Sequence, residues 1–228
     1  MKPARIVFAV VLIGLGVIGL VVRDYQPLWE LPDFVPPALA YVCDAVSIGC
    51  GIGLIVRPLP AARVLLAYLV LWTLVCHVKD AVTAPGELGA WYGVAEPAVI
   101  IAAALVLAGV GVRGARVLYG LALIPFGLGH FAYLDRTESL VPSFLPAHHA
   151  LACVTGAAFL AAALAVITGI QARLAAALSA IMIGSFTVLV WLPLIAAGGM
   201  NAFTWIELGD TIALAAGGWL VAASYRGA

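Results

Sequence analysis

Eight apolar runs divide the sequence, and most of them are long enough to cross a lipid bilayer as a helix. The runs cover residues 6–22, 38–56, 64–78, 94–112, 117–134, 150–170, 174–197 and 206–223. The third run is short, and we expect its helix to continue through Asp80. A bilayer core about 30 Å thick requires about 20 residues of helix, and a backbone in lipid must form its own hydrogen bonds. The pattern therefore predicts an all-α, polytopic membrane protein with eight transmembrane helices.

The composition of the chain indicates the same class of protein. Apolar residues make up 65% of the sequence and charged residues 10%, whereas about half of a soluble domain is apolar. Eleven basic and eleven acidic residues leave no net charge, so nothing favours nucleic acid as a partner. We therefore expect the lipid bilayer to surround the chain and no nucleic acid to bind it.

Basic residues are divided unequally between the two ends of the predicted spans. One side holds only Arg23, Lys79 and Arg136. The other side holds Lys2, Arg5, Arg57, Arg63, Arg113, Arg116, Arg173 and Arg226. Because basic loops stay in the cytoplasm, the pattern predicts a multi-pass protein of the inner (plasma) membrane with both termini cytoplasmic. We call the opposite end of the bundle the predicted outer end.

The second half of the chain repeats the first half. An offset of 111 residues aligns Arg5 with Arg116, Asp24 with Asp135 and Glu96 with Glu207. An offset of 110 residues aligns Pro32, Phe34, Pro36, Cys43 and Arg63 with Pro142, Phe144, Pro146, Cys153 and Arg173. Each half holds four spans, an even number, so both halves enter the membrane in the same direction. The sequence thus predicts two parallel four-helix repeats, residues 1–112 and 113–228, related by an axis along the membrane normal.

A short motif pattern in the second half resembles a known family. It consists of Gly127-Leu128-Gly129-His130-Phe131, then Val141-Pro142 and Leu145-Pro146, then Thr155-Gly156 opening an Ala-rich helix. The pattern is similar to that of DoxX-like membrane proteins, in which a helix ends in G-x-x-H-F or similar, a Pro-containing outer loop follows, and the next helix begins with a T-G pair. The first half repeats it more loosely, with Pro32, Phe34, Pro36 and His77. The family often carries a Glu about three residues after the T-G pair, and Phe159 stands there in this chain.

The resemblance implies a link to quinone chemistry. DoxX-like proteins are similar to the small membrane subunits of sulfur-oxidising thiosulfate:quinone oxidoreductases and to components of membrane redox complexes. A redox partner protein and a quinone are therefore the partner and cofactor that the resemblance implies. It transfers no catalytic residue to this chain, and whether the chain is itself an enzyme stays open.

Ionisable residues inside the spans form the candidate ligand-binding set. Such groups cost several kcal/mol in lipid unless they are paired or hydrated, so each one indicates a functional site. The set consists of Asp44, His77, Glu96, His130, Glu207 and Asp210. All six are expected in the outer half of the membrane, in one pocket open to the outer side, with Glu96 and Glu207 facing each other across the repeat axis. His130 is the first residue to test, and His149 is expected to lie outside the pocket.

Three interpretations of this set remain open from the sequence. One is a pocket for a quinone headgroup or a small solute, in which His and carboxylates exchange protons. A second is a metal site made by His77, His130 and carboxylates, although no H-x-x-x-H spacing supports it. The third is a set of interfacial residues that only pair or hydrate.

The function hypotheses follow from these interpretations. The first is a membrane subunit of a quinone-linked redox complex, and the alternatives are a small-solute transporter or channel, or a structural subunit. A transporter needs polar groups in the cytoplasmic half, where the candidates are Thr168, Ser179, Ser185 and Thr187. The outer loops 23–37 and 135–146 are either lids over the pocket or plain interfacial connections.

Overall fold

Nine helices make up the part of the chain that a computed structural model describes, which is residues 1–22, 36, 38–199 and 201–225. Eight of them are long and apolar enough to cross a membrane, and these residues include no strand, so the predicted all-α polytopic fold class is confirmed. The long helices are α1 (Lys2–Val22), α2 (Leu39–Val56), α3 (Pro58–Thr83), α4 (Leu88–Ala108), α5 (Val112–Ala132), α7 (His148–Thr168), α8 (Ala172–Ala196) and α9 (Ala202–Ser224). The short helix α6 (Leu134–Leu140) lies between α5 and α7.

Most of the helices begin earlier than the apolar runs. α3 begins at Pro58 rather than at residue 64, and α4 begins at Leu88 rather than at residue 94. The third helix also continues past Asp80, as expected. A helix extends into the headgroup region with polar side chains, because its hydrogen bonds are internal and long Arg side chains reach the water. Hydropathy alone therefore underestimates its length.

Two of the long helices contain a wide turn at matching places. Residues Thr73–His77 of α3 and Thr187–Trp191 of α8 each form a five-residue π-helical segment. Such segments are rare and shift the side chains that follow them around the helix axis, often at functional sites. Both segments lie toward the predicted outer end, in the third helix of each predicted repeat.

The packing of the helices follows one pattern in the two halves. Around the bundle, α1 packs on α2, α2 on α3, α3 on α4 and α4 on α5, and then α5 packs on α7, α7 on α8, α8 on α9 and α9 on α1. Across the middle, α4 packs on α9. Each contact in the first half has a counterpart in the second, which favours a repeat axis between α4 and α9. The division into repeats at residues 112 and 113 stays a prediction.

Glycines allow the closest approaches between helices. A Cβ atom on Gly16 of α1 would lie 2.7 Å from the carbonyl oxygen of Asp44 on α2. A Cβ atom on Gly127 of α5 would lie 2.9 Å from the carbonyl oxygen of Gly156 on α7. These are the first helix pairs of the two halves. In lipid, where apolar side chains gain little by leaving the solvent, such close backbone packing is a main source of helix association.

An arginine connects the predicted cytoplasmic ends of α5 and α9. Arg116 donates from Nη2 to the carbonyl oxygen of Ser224 at 2.6 Å and from Nε to the Ser224 hydroxyl at 3.1 Å. Its guanidinium group also lies 4.0 Å from the ring centre of Tyr225. The last carbonyl groups of a helix lack partners within that helix and carry partial negative charge, so this cation stabilises the end of α9.

Candidate functional site

A cavity of about 710 Å³ lies toward the predicted outer end among the helices of the second half, with one wall from α4. Its walls are mainly apolar and include Met182 and Phe186 of α8. Its polar lining residues are Tyr92, His130, Tyr133, Arg136, Thr137, Thr155, Ser185, Trp191, Thr204, Glu207 and Thr211. An apolar cavity of this size with a few polar groups is typical of a small-molecule binding site.

His130 is held in place by its backbone and by aromatic rings. Its Nδ1 lies 2.8 Å from the carbonyl oxygen of Phe126, one turn earlier on α5. A carbonyl oxygen only accepts hydrogen bonds, so Nδ1 carries a proton and the neutral ring keeps Nε2 as an acceptor. The ring packs on Phe159 with 5.3 Å between centroids and on Phe186 with 6.4 Å between centroids. The site thus holds one His in a defined orientation and tautomer.

α9 supplies the opposite, polar wall of the cavity. Glu207 and Thr211 lie one turn apart on it, and the Thr211 hydroxyl accepts a hydrogen bond from Trp191 Nε1 at 2.8 Å. The guanidinium group of Arg136, on α6, interacts electrostatically with Glu207. The cavity therefore combines a carboxylate, a cation and a His around an apolar volume.

The connection between α5 and α7 covers this cavity. Tyr133, Arg136, Thr137 and Leu140 line it from α6 and the residue before it, and Val141, Pro142 and Leu145 line it from the following turn. The loop of residues 135–146 is thus more than an interfacial connection, since it forms one wall. The corresponding expectation for residues 23–37, with Tyr25, Trp29 and Phe34, falls largely outside the described residues.

The residues on which the sequence resemblance rests meet at this place. Gly127 and Gly156 are in close contact, and a Cβ atom on Gly156 would lie 2.7 Å from the Cβ atom of His130. The side chain of Phe159, which stands where the family often has Glu, is buried against His130. An apolar ring therefore occupies the position from which a carboxylate would reach the His.

The structure brings together only part of the predicted six-residue set. His130 and Glu207 line the cavity, whereas Asp210 is buried beside it and interacts electrostatically with Glu96 and Glu207. Asp44 and His77 do not line this cavity, contrary to the single-pocket expectation. Asp44 lies on α2 and His77 on α3, which belong to the first half of the chain, whereas the cavity lies mainly among helices of the second half.

The two first-half residues are each buried in a different setting. The Asp44 carboxyl group interacts electrostatically with Tyr68, and its Oδ2 atom has no hydrogen-bond partner among the described residues. His77 is packed so that its Nδ1 would lie 3.0 Å from a Cβ atom on Gly93, and it interacts electrostatically with Asp80. His149 is exposed and pairs with Glu138 at 2.7 Å, outside the cavity as expected.

Some lining residues were missed from the sequence. Tyr92 is not in the candidate set that the sequence indicates, yet it lines the cavity and its hydroxyl group lies against Gly129. Trp191 is the last residue of the π-helical segment of α8, and no sequence signal identifies such a segment. Thr211 accepts a hydrogen bond from Trp191, and only the tertiary structure shows that these two residues meet.

Metal ligation finds no support in the part of the chain that the structure describes. There, no three His, Cys, Asp or Glu side chains are grouped so that they can hold a metal ion. The four Cys residues are free, and Cys43, Cys50 and Cys76 are buried.

Three of the four hydroxyl groups that the sequence assigns to the cytoplasmic half form hydrogen bonds with protein atoms, whereas the buried hydroxyl group of Thr187 has no hydrogen-bond partner among the described residues. Ser179 forms hydrogen bonds with Tyr119 Oη at 2.9 Å and with the carbonyl oxygen of Ala176 at 3.1 Å. Thr168 donates to the carbonyl oxygen of Leu164, in its own helix, at 2.8 Å. Ser185 donates to the carbonyl oxygen of Met182 while lining the cavity. These contacts do not indicate a polar path for a solute.

Fold and cavity together define a polytopic, all-α membrane protein with a small-molecule-sized site toward one end. Comparisons with known protein families, with characterised proteins and with solved structures found no significant match to this chain.

Proposed function

We propose that this chain is a DoxX-like membrane subunit of a quinone-linked redox complex, and that its cavity binds the quinone headgroup at the predicted outer end. One observation carries the proposal: the residues that resemble the family motif line the same cavity. They are Gly129 and His130 of α5, Val141, Pro142 and Leu145 of the connection, and Thr155 of α7.

The chemistry of the cavity suits a quinone. A quinone ring is planar and apolar, and its two oxygen atoms require hydrogen-bond partners. The apolar walls with Phe186 accommodate the ring, and Tyr92, Tyr133 and Arg136 are donors within the lining. The membrane provides the route for an isoprenoid tail, and a redox partner protein supplies the electrons, as the resemblance implies.

The tautomer of His130 defines its role in this proposal. Because Nδ1 donates to the Phe126 carbonyl group, neutral Nε2 accepts a hydrogen bond from a hydroquinone hydroxyl group. The protonated ring donates from Nε2 to a quinone oxygen instead. A His with one nitrogen engaged by the backbone is thus suited to take up or release a proton as the two forms exchange.

Binding of a short-chain quinone to the protein in nanodiscs tests the proposal. Trp191 lines the cavity, so bound quinone should quench the tryptophan fluorescence. His130→Ala should raise the Kd about tenfold, because a lost hydrogen bond of about 1.4 kcal/mol corresponds to that factor. His130→Gln is a second variant that preserves side-chain volume better and guards against misfolding.

His149→Ala is the matched control, because His149 is exposed and pairs with Glu138 away from the cavity. Its Kd should equal that of the wild type. If quinone quenches the fluorescence saturably but the Kd is the same in His130→Ala and His130→Gln as in the wild type, the quinone does not bind at this site. Uptake of a small solute by proteoliposomes, without quinone binding, would support a transporter, and the absence of both would support a structural subunit.

A further inference from the structure

The strongest unexplained feature in the bundle is the buried carboxyl group of Asp210, on the helix α9 that packs against α4. Asp210 is 4% exposed, and neither of its carboxyl oxygens has a hydrogen-bond partner among the described residues. A buried carboxylate with no partner is costly, so its state requires an explanation.

The register of the α4–α9 contact brings Asp210 near the depth of Glu96. A Cβ atom on Gly217 of α9 would lie 3.2 Å from Cγ1 of Val99 and 3.5 Å from Cβ of Ala103, so Gly217 lies between these two residues of α4. Both helices run inward from the predicted outer end. Asp210 lies seven residues before Gly217, and Glu96 lies three residues before Val99 and seven before Ala103. The depths of the two acids therefore agree to within about one helical turn, and their electrostatic interaction agrees with this placement.

This register differs from the pairing that the sequence predicts. Glu207 lies three residues before Asp210, about 4.5 Å nearer the predicted outer end. It lines the cavity, whereas Asp210 lies behind it, so Glu207 is the member of the group that a solvent molecule or ligand in the cavity reaches.

We propose that Glu96 and Asp210 form a proton-binding site, in which the two acids hold a proton and exchange it with the cavity through Glu207. Two neighbouring negative charges in surroundings of low polarity repel each other strongly, and one proton on either acid removes that repulsion. The step only moves a proton between carboxyl groups, so no further reactant is needed.

The surroundings favour a proton over a metal cation. The groups that act on Asp210 are the two acids Glu96 of α4 and Glu207 of α9, and the cation of Arg136 acts on Glu207 instead. α1 places the apolar Leu15 beside Gly209, and α8 places Trp191 against Thr211. Within the described residues no three acids, His or Cys are arranged to hold a metal ion.

Infrared spectroscopy of the full chain in nanodiscs tests the site directly. At neutral pH the spectrum should contain the C=O band of a protonated carboxylic acid, and the isosteric variant Asp210→Asn should weaken it, since the other buried acid, Asp44, is unchanged in this variant. An ordinary carboxyl group in water is protonated in only about 0.2% of molecules at pH 7, so exposed acids do not contribute. Glu138→Gln is the matched control and should keep the band, since Glu138 pairs with His149 at the surface.

Transfer into D₂O tests the route. The band should shift quickly in the wild type and at least about tenfold more slowly in Glu207→Gln, because the intermediate carrier is missing. A wild-type spectrum without the band overturns the site, and equal exchange in Glu207→Gln overturns the route.

A hydrophobic carbodiimide, which modifies protonated carboxyl groups in apolar surroundings, gives a second readout in the wild type. Mass spectrometry should find Glu96 or Asp210 modified and Glu138 unmodified. Sodium chloride at constant pH should not protect either acid from the carbodiimide. Protection by sodium would show that the site binds a metal cation and not a proton. The proton-binding site does not depend on the quinone proposal. If the carboxylic acid band is present but the protein binds no quinone, only the quinone proposal is overturned.

Discussion

Replacement of Gly156 by Ala tests whether the close contact between α5 and α7 shapes the cavity. The new Cβ atom would lie 2.7 Å from His130 Cβ, 2.9 Å from Phe131 Cε2 and 3.1 Å from the Gly127 carbonyl oxygen. The His130 Cβ atom and the carbonyl oxygen cannot swing away as the end of a flexible side chain can. The helices must therefore separate, and the cavity wall at His130 must move with them.

The magnitude follows from two opposing contributions. Overpacking of a tight contact costs about 1–3 kcal/mol, and the rigid neighbours of Gly156 favour the upper end of that range. Ala gains about 1 kcal/mol over Gly in helix propensity. The net loss is about 2 kcal/mol in the free energy of unfolding, which corresponds to a fall in Tm of about 4–8 °C for a chain of this length.

Gly14→Ala is the matched control. Gly14 lies in the middle of α1, and a Cβ atom there would meet nothing within 4 Å. Only the helix propensity changes, so Tm should rise by about 2–4 °C.

Unfolding is followed in detergent with a thiol-reactive dye, which reports exposure of the buried residues Cys43, Cys50 and Cys76. The Kd for quinone should rise in Gly156→Ala and stay constant in Gly14→Ala. If both variants shift Tm upward together, the helices are not in close contact at Gly156, and the reasoning is refuted.

Three further predictions concern other parts of the bundle. Arg116→Ala should lower the free energy of unfolding by about 2–4 kcal/mol, because charged hydrogen bonds to the end of α9 and a cation–π contact are lost. In the same dye assay, replacement of the exposed Arg113 by Ala should change the free energy of unfolding by less than about 0.5 kcal/mol. An impermeant maleimide on a Cys-free background should label Gly114→Cys only from the cytoplasmic side and Ser143→Cys only from outside, and the reverse would overturn the predicted orientation. Trp191→Phe should remove most of the fluorescence quenching by bound quinone, and unchanged quenching would place the ligand away from the π-helical turn of α8.

The class of protein was readable from the sequence because the membrane imposes it locally. Lipid offers no hydrogen bonds to a backbone, so an apolar run of about 20 residues becomes a helix whatever its neighbours are. All eight spans were located for this reason, and only their ends were misplaced, since polar residues extend a helix without altering the hydropathy signal. His130 and Glu207, which both line the cavity, could be singled out from the sequence because an ionisable group inside a span is rare.

The assembly of the site was decided by tertiary structure. Sequence alignment paired Glu96 with Glu207, but the contacts of Gly217 with Val99 and Ala103 place Asp210 nearer than Glu207 to the depth of Glu96. A difference of three residues keeps a side chain on nearly the same helix face, so the pattern of polar residues cannot distinguish the two pairings. Depth depends on how far one helix slides along another, and this distance is set by contacts between small residues.

Tertiary structure also decided which acids and His residues share a cavity. Asp44 and His77 resemble His130 and Glu207 in polarity and predicted depth, yet they lie on α2 and α3 while the cavity lies mainly among α5–α9. Hydropathy reports how deep a residue lies and not which neighbours it has around the bundle. The neighbours of a residue follow from the packing of whole helices, which depends on contacts such as that between Gly127 and Gly156. No local pattern in the sequence shows which two helices make such a contact.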